Sequence, residues 1–344
     1  MGNKGGFMRI AVTAAVCISV LSYAVYSFLF VSNEAPSGTE FYPVASFEKV
    51  NTGNKTSATP QVETASSQPS SETAVAAASS GTVKGNIIEK FISPYTAKDS
   101  YNGVYLKNST DLDINIKELL NSPLGYKIEK NGEPQVLIMH THTTESFMTE
   151  LRDTYTDADN TRTTDESLNM VALGNIIADT LNKNGISTVH DTTVHDFPEY
   201  NGSYSRAAKT ITSNIKKYPS IKIVIDVHRD SISAGDTDKV KVTTEIQGKK
   251  AAQVMLVMGS QSGGVTNFPN WQENLKLAVR LQQTIEGMYP SLARSLSLMP
   301  KNYNESLTKG SLLLEIGTDA NTVDEVRYSA ELVGNALKNL LDTL

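Results

Sequence analysis

Three short motifs set histidines and carboxylates beside apolar runs. HTHTTESF at 140–147 carries His140, His142 and Glu145; KIVIDVHRD at 222–230 carries His228, Arg229 and Asp230; and LLLEIG at 312–317 carries Glu315. The chain has five histidines in 344 residues, and three of them fall in the first two motifs, which random placement rarely gives. Two neutral imidazoles and a carboxylate can hold zinc tetrahedrally, and a catalytic site leaves the fourth position open. His142 and Glu145 form a His-x-x-Glu pair, and His228 arrives from a distant segment, so these three are the candidate zinc ligands. Glu315 follows three leucines, where burial would raise its pKa toward neutrality. A carboxylate tuned in this way can take a proton from an attacking water, and zinc with such a base hydrolyses amides.

Competing roles exist for each residue. His140 alternates with His142, so in an extended segment the two point to opposite sides, and His140 is expected to hydrogen-bond a ligand rather than to be one. Glu166, at the start of a helical pattern, rivals Glu145 as the third ligand. Arg229 could bind a substrate carboxylate or oxyanion, or pair with Asp230 on the surface. His190 and His195, in TVHDTTVHD, read as solvated loop residues, and Tyr200 and Tyr204 as packing residues rather than a saccharide surface.

The elements that must position these motifs follow from hydrophobic periodicity. Short runs rich in β-branched residues predict strands at 136–139, 186–191, 222–228, 253–259 and 312–317. Amphipathic stretches predict helices at 167–185, 204–218, 272–289 and 322–344, with Gly185, Pro219 and Pro290 as stop signals. Apolar strands separated by helices imply an α/β fold with a mixed, mostly parallel sheet between helices. The mixed character is expected from VKVTTEIQGKKAAQVMLVMGS, which reads as a hairpin turning near Gly248. In such folds sites form at the C-terminal ends of strands, where all three motifs lie.

The first quarter of the chain has a different character. Residues 10–32 carry no charge over 23 positions, enough to cross the hydrocarbon layer as a helix. Lys4 and Arg9 precede this segment and Glu34 and Glu40 follow it, so residues 1–9 are expected in the cytoplasm and the rest of the chain outside. A cleaved signal peptide ending near SYA at 22–24 is the competing reading. Residues 33–83, dominated by Ser, Thr, Ala, Pro and Gln, are expected to form a disordered tether. Residues 84–344 are expected to form one catalytic domain. Cys17, the chain's one cysteine, sits in the apolar segment, which excludes intramolecular disulfides and cysteine zinc clusters. A net charge of −6 argues against nucleic-acid binding.

HTHTTESF, DVHRDS and LLLEIGT, behind an apolar N-terminal segment and a Ser/Thr-rich stretch, resemble the stage II sporulation protein P family of cell-wall hydrolases, over about residues 100–344. The resemblance implies an amidase or zinc-carboxypeptidase-like fold, zinc held by His142 and His228, and Glu315 as base. For the carboxylate ligand, kinship with the amidases favours Glu166 and the His-x-x-Glu spacing favours Glu145. It also implies cleavage of the amide between N-acetylmuramic acid and L-alanine in peptidoglycan, with endopeptidase activity on cross-links, during forespore engulfment. Stage II sporulation proteins D and M are the partners it implies, in the intermembrane or septal space. A carboxypeptidase-type peptidase and a non-catalytic wall-binding scaffold are the alternatives.

Overall fold

A computed structural model describes residues 81–344. The expected membrane segment at 10–32 and nearly all of the expected tether lie outside the described residues. Among the described residues, no helix is long and apolar enough to cross a membrane.

The strands are β1 (Val83–Lys90), β2 (Asp99–Tyr101), β3 (Val104–Asn108), β4 (Val136–Met139), β5 (Thr154–Thr156), β6 (Thr188–His190), β7 (Ile223–Asp230), β8 (Ser233–Ala234), β9 (Asp238–Ile246), β10 (Lys249–Ala252), β11 (Val254–Gly259), β12 (Leu296–Met299) and β13 (Ser311–Thr318). The helices are α1 (Ile116–Asn121), α2 (Met170–Lys183), α3 (Ser203–Lys217), α4 (Trp271–Met288) and α5 (Val323–Leu341). Local signals set the helix ends. Asn169 caps α2 by accepting from Val171 N–H at 2.9 Å, so the helix starts later than its apolar periodicity suggests. Thr322 and Glu325 form a reciprocal capping box on α5.

The main sheet has the order β2-β3-β12-β11-β13-β7-β4-β6. It is mixed and mostly parallel: only β2–β3 and β11–β13 pair antiparallel. The expected hairpin is present, with a two-residue turn at Gln247–Gly248 between β9 and β10. It belongs to a second sheet, β10-β9-β1-β5 with β8 on β9, which the sequence did not suggest. The main sheet is mixed for another reason: the chain leaves β10 at Gln253 and re-enters as β11, running against β13.

Side-chain alternation gives the main sheet two unlike faces. Ile138, Ile225, Leu314, Ile316, Val254 and Leu256 point into the large core, closed by α2, α4 and α5. The opposite face carries a small cluster in which Leu137, Met139 and Val224 meet Ala207 and Ile211 of α3. Helical cover is therefore unequal, and on this second face β13 and β11 present Glu315 and Met255, both only partly buried. That uncovered strip, next to the end of β7, is where the motifs meet.

Candidate functional site

The register of the sheet brings the three motifs together. Glu315 lies directly opposite His228 on the neighbouring parallel strand, and Met139, the last residue of β4, lies opposite Asp226. Asp226, His228 and Asp230 share a face because strand side chains alternate with period two. Between Glu315 and Thr318 the register with β7 shifts. Gly317, at φ +67, makes that irregularity, and a Cβ there would come within 2.9 Å of Val326.

The loop leaving β4 is fixed by buried hydrogen bonds. Thr141 donates to Asp226 from both its N–H (2.8 Å) and its hydroxyl (2.6 Å). Thr144 donates from its hydroxyl to Asp196 at 2.7 Å, and Asp196 also pairs with Arg162. The loop thereby sets His142 beside His228, with ring centroids 5.3 Å apart and planes perpendicular. Tyr200 stacks on His142 at 4.8 Å and Tyr204 meets it edge-on at 5.6 Å. The Tyr200 hydroxyl contacts His142 Nε2 at 3.3 Å, whereas His142 Nδ1 is buried with no partner.

Glu145 is 6 % exposed, and its Oε2 lies 3.6 Å from His228 Nδ1. Two ligands on one tetrahedral zinc, at bonds of about 2.0–2.1 Å, stand roughly 3.3 Å apart, so this spacing is close to that of two ligands. Glu166 is exposed. Of the two candidate carboxylates, the fold brings Glu145 to the histidines. His228 Nε2 lies 2.9 Å from Asp226 Oδ1, in an ion-pair contact outside the angular range of a hydrogen bond. Among the described residues, no group of three or more His, Cys, Asp or Glu side chains is arranged to hold a metal ion as it stands.

The electrostatics separate the two imidazoles. Burial drives the His142 pKa down to about 3, so its ring is neutral. His228 is equally buried, but the facing carboxylates of Asp226 and Glu145 outweigh burial and push its pKa well above the usual histidine value. Burial also opposes ionisation of Glu145, and the adjoining His228 ring and the Arg229 charge overcome it and hold the carboxyl well below its usual range. Glu315 goes the other way. Burial first, and then the Asp230 charge, raise it to about 8, and its Oε2 is buried without a partner.

Other residues play different parts from those expected of them. Arg229 is 8 % exposed and directs its guanidinium inward, donating to the carbonyls of Ser146 (2.9 Å), Thr161 (2.8 Å) and Asp230 (3.2 Å). It braces the loops through these three carbonyl groups rather than pairing with the Asp230 carboxylate. His140 is buried, and its ring contacts Val227 O at 3.0 Å and His190 Nε2 at 2.8 Å, away from His142. His190 and His195 are not free loop residues: His190 ends β6, half-buried, and His195 is buried. His190 is tied to His140 and to Asn175, and His195, 1 % exposed, contacts His140 O at 2.7 Å and Thr210 Oγ1 at 2.8 Å.

Gly174 makes room for the His140–His190 pair, since a Cβ there would lie 2.3 Å from His190 Nε2 and 2.7 Å from His140 Nε2. Gly174→Ala is therefore expected to destabilise the domain by about 1–3 kcal/mol through overpacking. A lowered urea midpoint at unchanged slope checks it, and an unchanged midpoint would show that the pair yields freely.

Sequence reasoning passed over Asp226, Arg162, Asp196 and Arg294. Asp226 alone had a readable signal: it precedes His228 by two residues and must share its face.

Comparison with known proteins adds the following. The family model for Stage II sporulation protein P matches residues 24–338. Stage II sporulation protein P of Bacillus subtilis (strain 168) is 30% identical over 218 residues, covering 60% of this chain and 50% of that protein. The chain thus spans about half the length of the curated relative it matches. Among solved structures, an N-acetylmuramoyl-L-alanine amidase of Nostoc punctiforme is 13% identical, with 61% of this chain and 96% of that chain covered and a TM-score of 0.36. The catalytic domain of an N-acetylmuramoyl-L-alanine amidase of Bacillus (Paenibacillus) polymyxa var. colistinus is 11% identical, with 61% and 99% covered and a TM-score of 0.37. Both scores lie below 0.5.

Proposed function

From the premise that the chain belongs to the Stage II sporulation protein P family, we propose that it is a zinc-dependent peptidoglycan hydrolase of sporulation that cuts the amide between N-acetylmuramic acid and L-alanine. The observation that carries this reading is the convergence of His142, Glu145, His228 and Glu315 at the ends of β4, β7 and β13. His142 Nδ1, buried without a partner, supports a metal there, as does the spacing of Glu145 Oε2 and His228 Nδ1. So does the charge balance, because the two carboxylates that favour a proton on His228 would equally favour a divalent cation.

In this reading His142, Glu145 and His228 hold zinc. When bound, zinc would polarise the scissile carbonyl and lower the pKa of the attacking water to about 7. The chain's own residues do the rest. Asp226 orients His228, and Thr141 fixes Asp226 with two hydrogen bonds. Tyr200, held under Arg162 at 4.7 Å, sets the His142 ring plane. Glu315 is the base that accepts the proton of the attacking water and then delivers it to the leaving nitrogen. Endopeptidase action on cross-links and work beside stage II sporulation proteins D and M, with residues 10–32 as the membrane anchor and the domain on the outer face, complete the proposal.

The test is product analysis with purified full-length chain on murein. Free L-alanine N-termini and about one zinc per chain are expected; peptide release without new L-alanine N-termini identifies a peptidase instead, and a parent that digests nothing favours a scaffold. Asp226→Asn is expected to weaken zinc binding by about 10–100-fold, the usual effect of losing the group that orients a metal-binding histidine. Competition against a chelating dye measures it, and an unchanged affinity would remove Asp226 from this role.

A further inference from the structure

Arg294 lies at the edge of the site face and is not part of any motif. It follows Ala293, which bridges Val254 at the start of β11, and its own N–H donates to Val254 O at 2.8 Å. The residue is 5 % exposed. Its Nη1 pairs with Asp230 Oδ2 at 2.9 Å. Asp230 ends β7, and β13 lies between β7 and β11 in the sheet. To reach Asp230 the guanidinium must cross the row in which Met255, Glu315 and His228 are register neighbours. It is near enough to Glu315 for its charge to act on that carboxyl.

Only one edge of the guanidinium is used. Nε and Nη2 are buried with no hydrogen-bond partner, and Glu315 Oε2 in the same row is likewise buried without one. Buried donors left unpaired are costly, and a group that pairs with them on binding recovers that cost. The Nε–Nη2 edge has two parallel N–H bonds, the fork that matches both oxygens of a carboxylate. Asp230 cannot fill that role, since it already holds the other edge.

We propose that Arg294 determines substrate specificity: its Nε–Nη2 edge binds a free carboxylate on the peptide side of the scissile amide, within one or two residues of the bond that is cut. This deepens the amidase reading and rests on it for the identity of the bond. Held by Asp230, the fork is preorganised, so little side-chain freedom is lost when the carboxylate docks.

The probes are muramoyl dipeptides whose second residue carries either a free α-carboxylate or the corresponding carboxamide, given to zinc-loaded full-length chain and followed by calorimetry and by turnover. The parent is expected to favour the free acid by about tenfold or more in Kd and KM, the scale of a charge-assisted pair, with kcat little changed. Arg294→Gln should bind both probes alike, and Arg294→Lys should recover only part of the preference, because a point charge does not fork. A parent that treats the two probes alike overturns the inference, as does an Arg294→Gln variant that keeps the preference or loses affinity for both equally. The parent's preference needs no variant, so a misfolded substitution does not remove the test. If neither probe is cleaved but the acid still binds tighter, the amidase reading fails and the carboxylate site stands.

Discussion

Replacing His142 by alanine is expected to lower murein hydrolysis by about a thousandfold or more and to remove the bound zinc. A Lewis-acid metal supplies several kcal/mol of transition-state stabilisation, and each 1.36 kcal/mol is tenfold in rate. Three features make His142 the most sensitive position. Its Nδ1 is buried with no protein partner, and its Nε2 meets only the Tyr200 hydroxyl, so substitution removes a single side-chain hydrogen bond. Its ring is neutral at every pH of interest, since burial takes its pKa down to about 3, and needs no deprotonation before it binds a cation. Its position is fixed on both sides by Tyr200 and His228, so no neighbouring side chain is free to replace it. The substitution removes the ring that Tyr200, Tyr204 and His228 all contact, so a modest loss of stability accompanies it. The measurements that separate the two effects are zinc content and thermal unfolding in the presence of chelator. A variant that unfolds within a few degrees of the metal-free parent, lacks zinc and digests no wall fits the proposal. A variant that digests wall at the parent's rate removes His142 from the site.

Some of this arrangement is written locally in the chain, and some is not. β4, β7, β11 and β13 could be read because each contains an apolar run buried on both sides, and the motifs in them followed directly. β1, β2 and β5 could not. They are exposed or only half-buried and lack an apolar run, and β1 is held by partners far along the chain, Lys239–Val242 on one side and Thr154–Thr156 on the other. Long-range pairing leaves no periodic mark on either partner. The candidate site divides in the same way. His142, Glu145, His228 and Glu315 announce themselves by residue type next to an apolar strand. The loop that aims His142 depends on Asp196 and Arg162, whose link to Thr144 exists only after folding. An arginine beside a histidine suggests anion binding, and nothing local in the sequence foretells that Arg229 is buried and donates to the carbonyls of two loops. His195 is hidden in the same way, since polar sequence surrounds a ring packed between His140 O and Thr210.

Glu315→Gln is expected to lower kcat by about 10²–10⁴-fold, the usual contribution of a positioned general base, while zinc stays bound. The substitution keeps shape and volume and removes only the ability to accept a proton, so a loss of rate with normal metal content isolates that step. The parent should show an acid limb in its rate profile, rising with pH as Glu315 loses its proton, and the variant should lack that limb. Stability gives a second readout that does not depend on activity. In the metal-free chain Glu315 titrates at about 8, above the carboxyl reference of 4.5. The folded state therefore binds a proton that the unfolded state has already lost. The stability associated with that proton is fully present below about 4.5 and is lost progressively as pH rises through about 8. Glutamine carries no such proton linkage, so chelator-treated Glu315→Gln should lose less stability than the parent between these two values and gain relative to it at pH 8 and above. A site that stabilises the fold when altered is the signature of a carboxyl held there for chemistry rather than for packing. Parallel stability curves for parent and variant, together with an acid limb that survives the substitution, would assign the base to another residue.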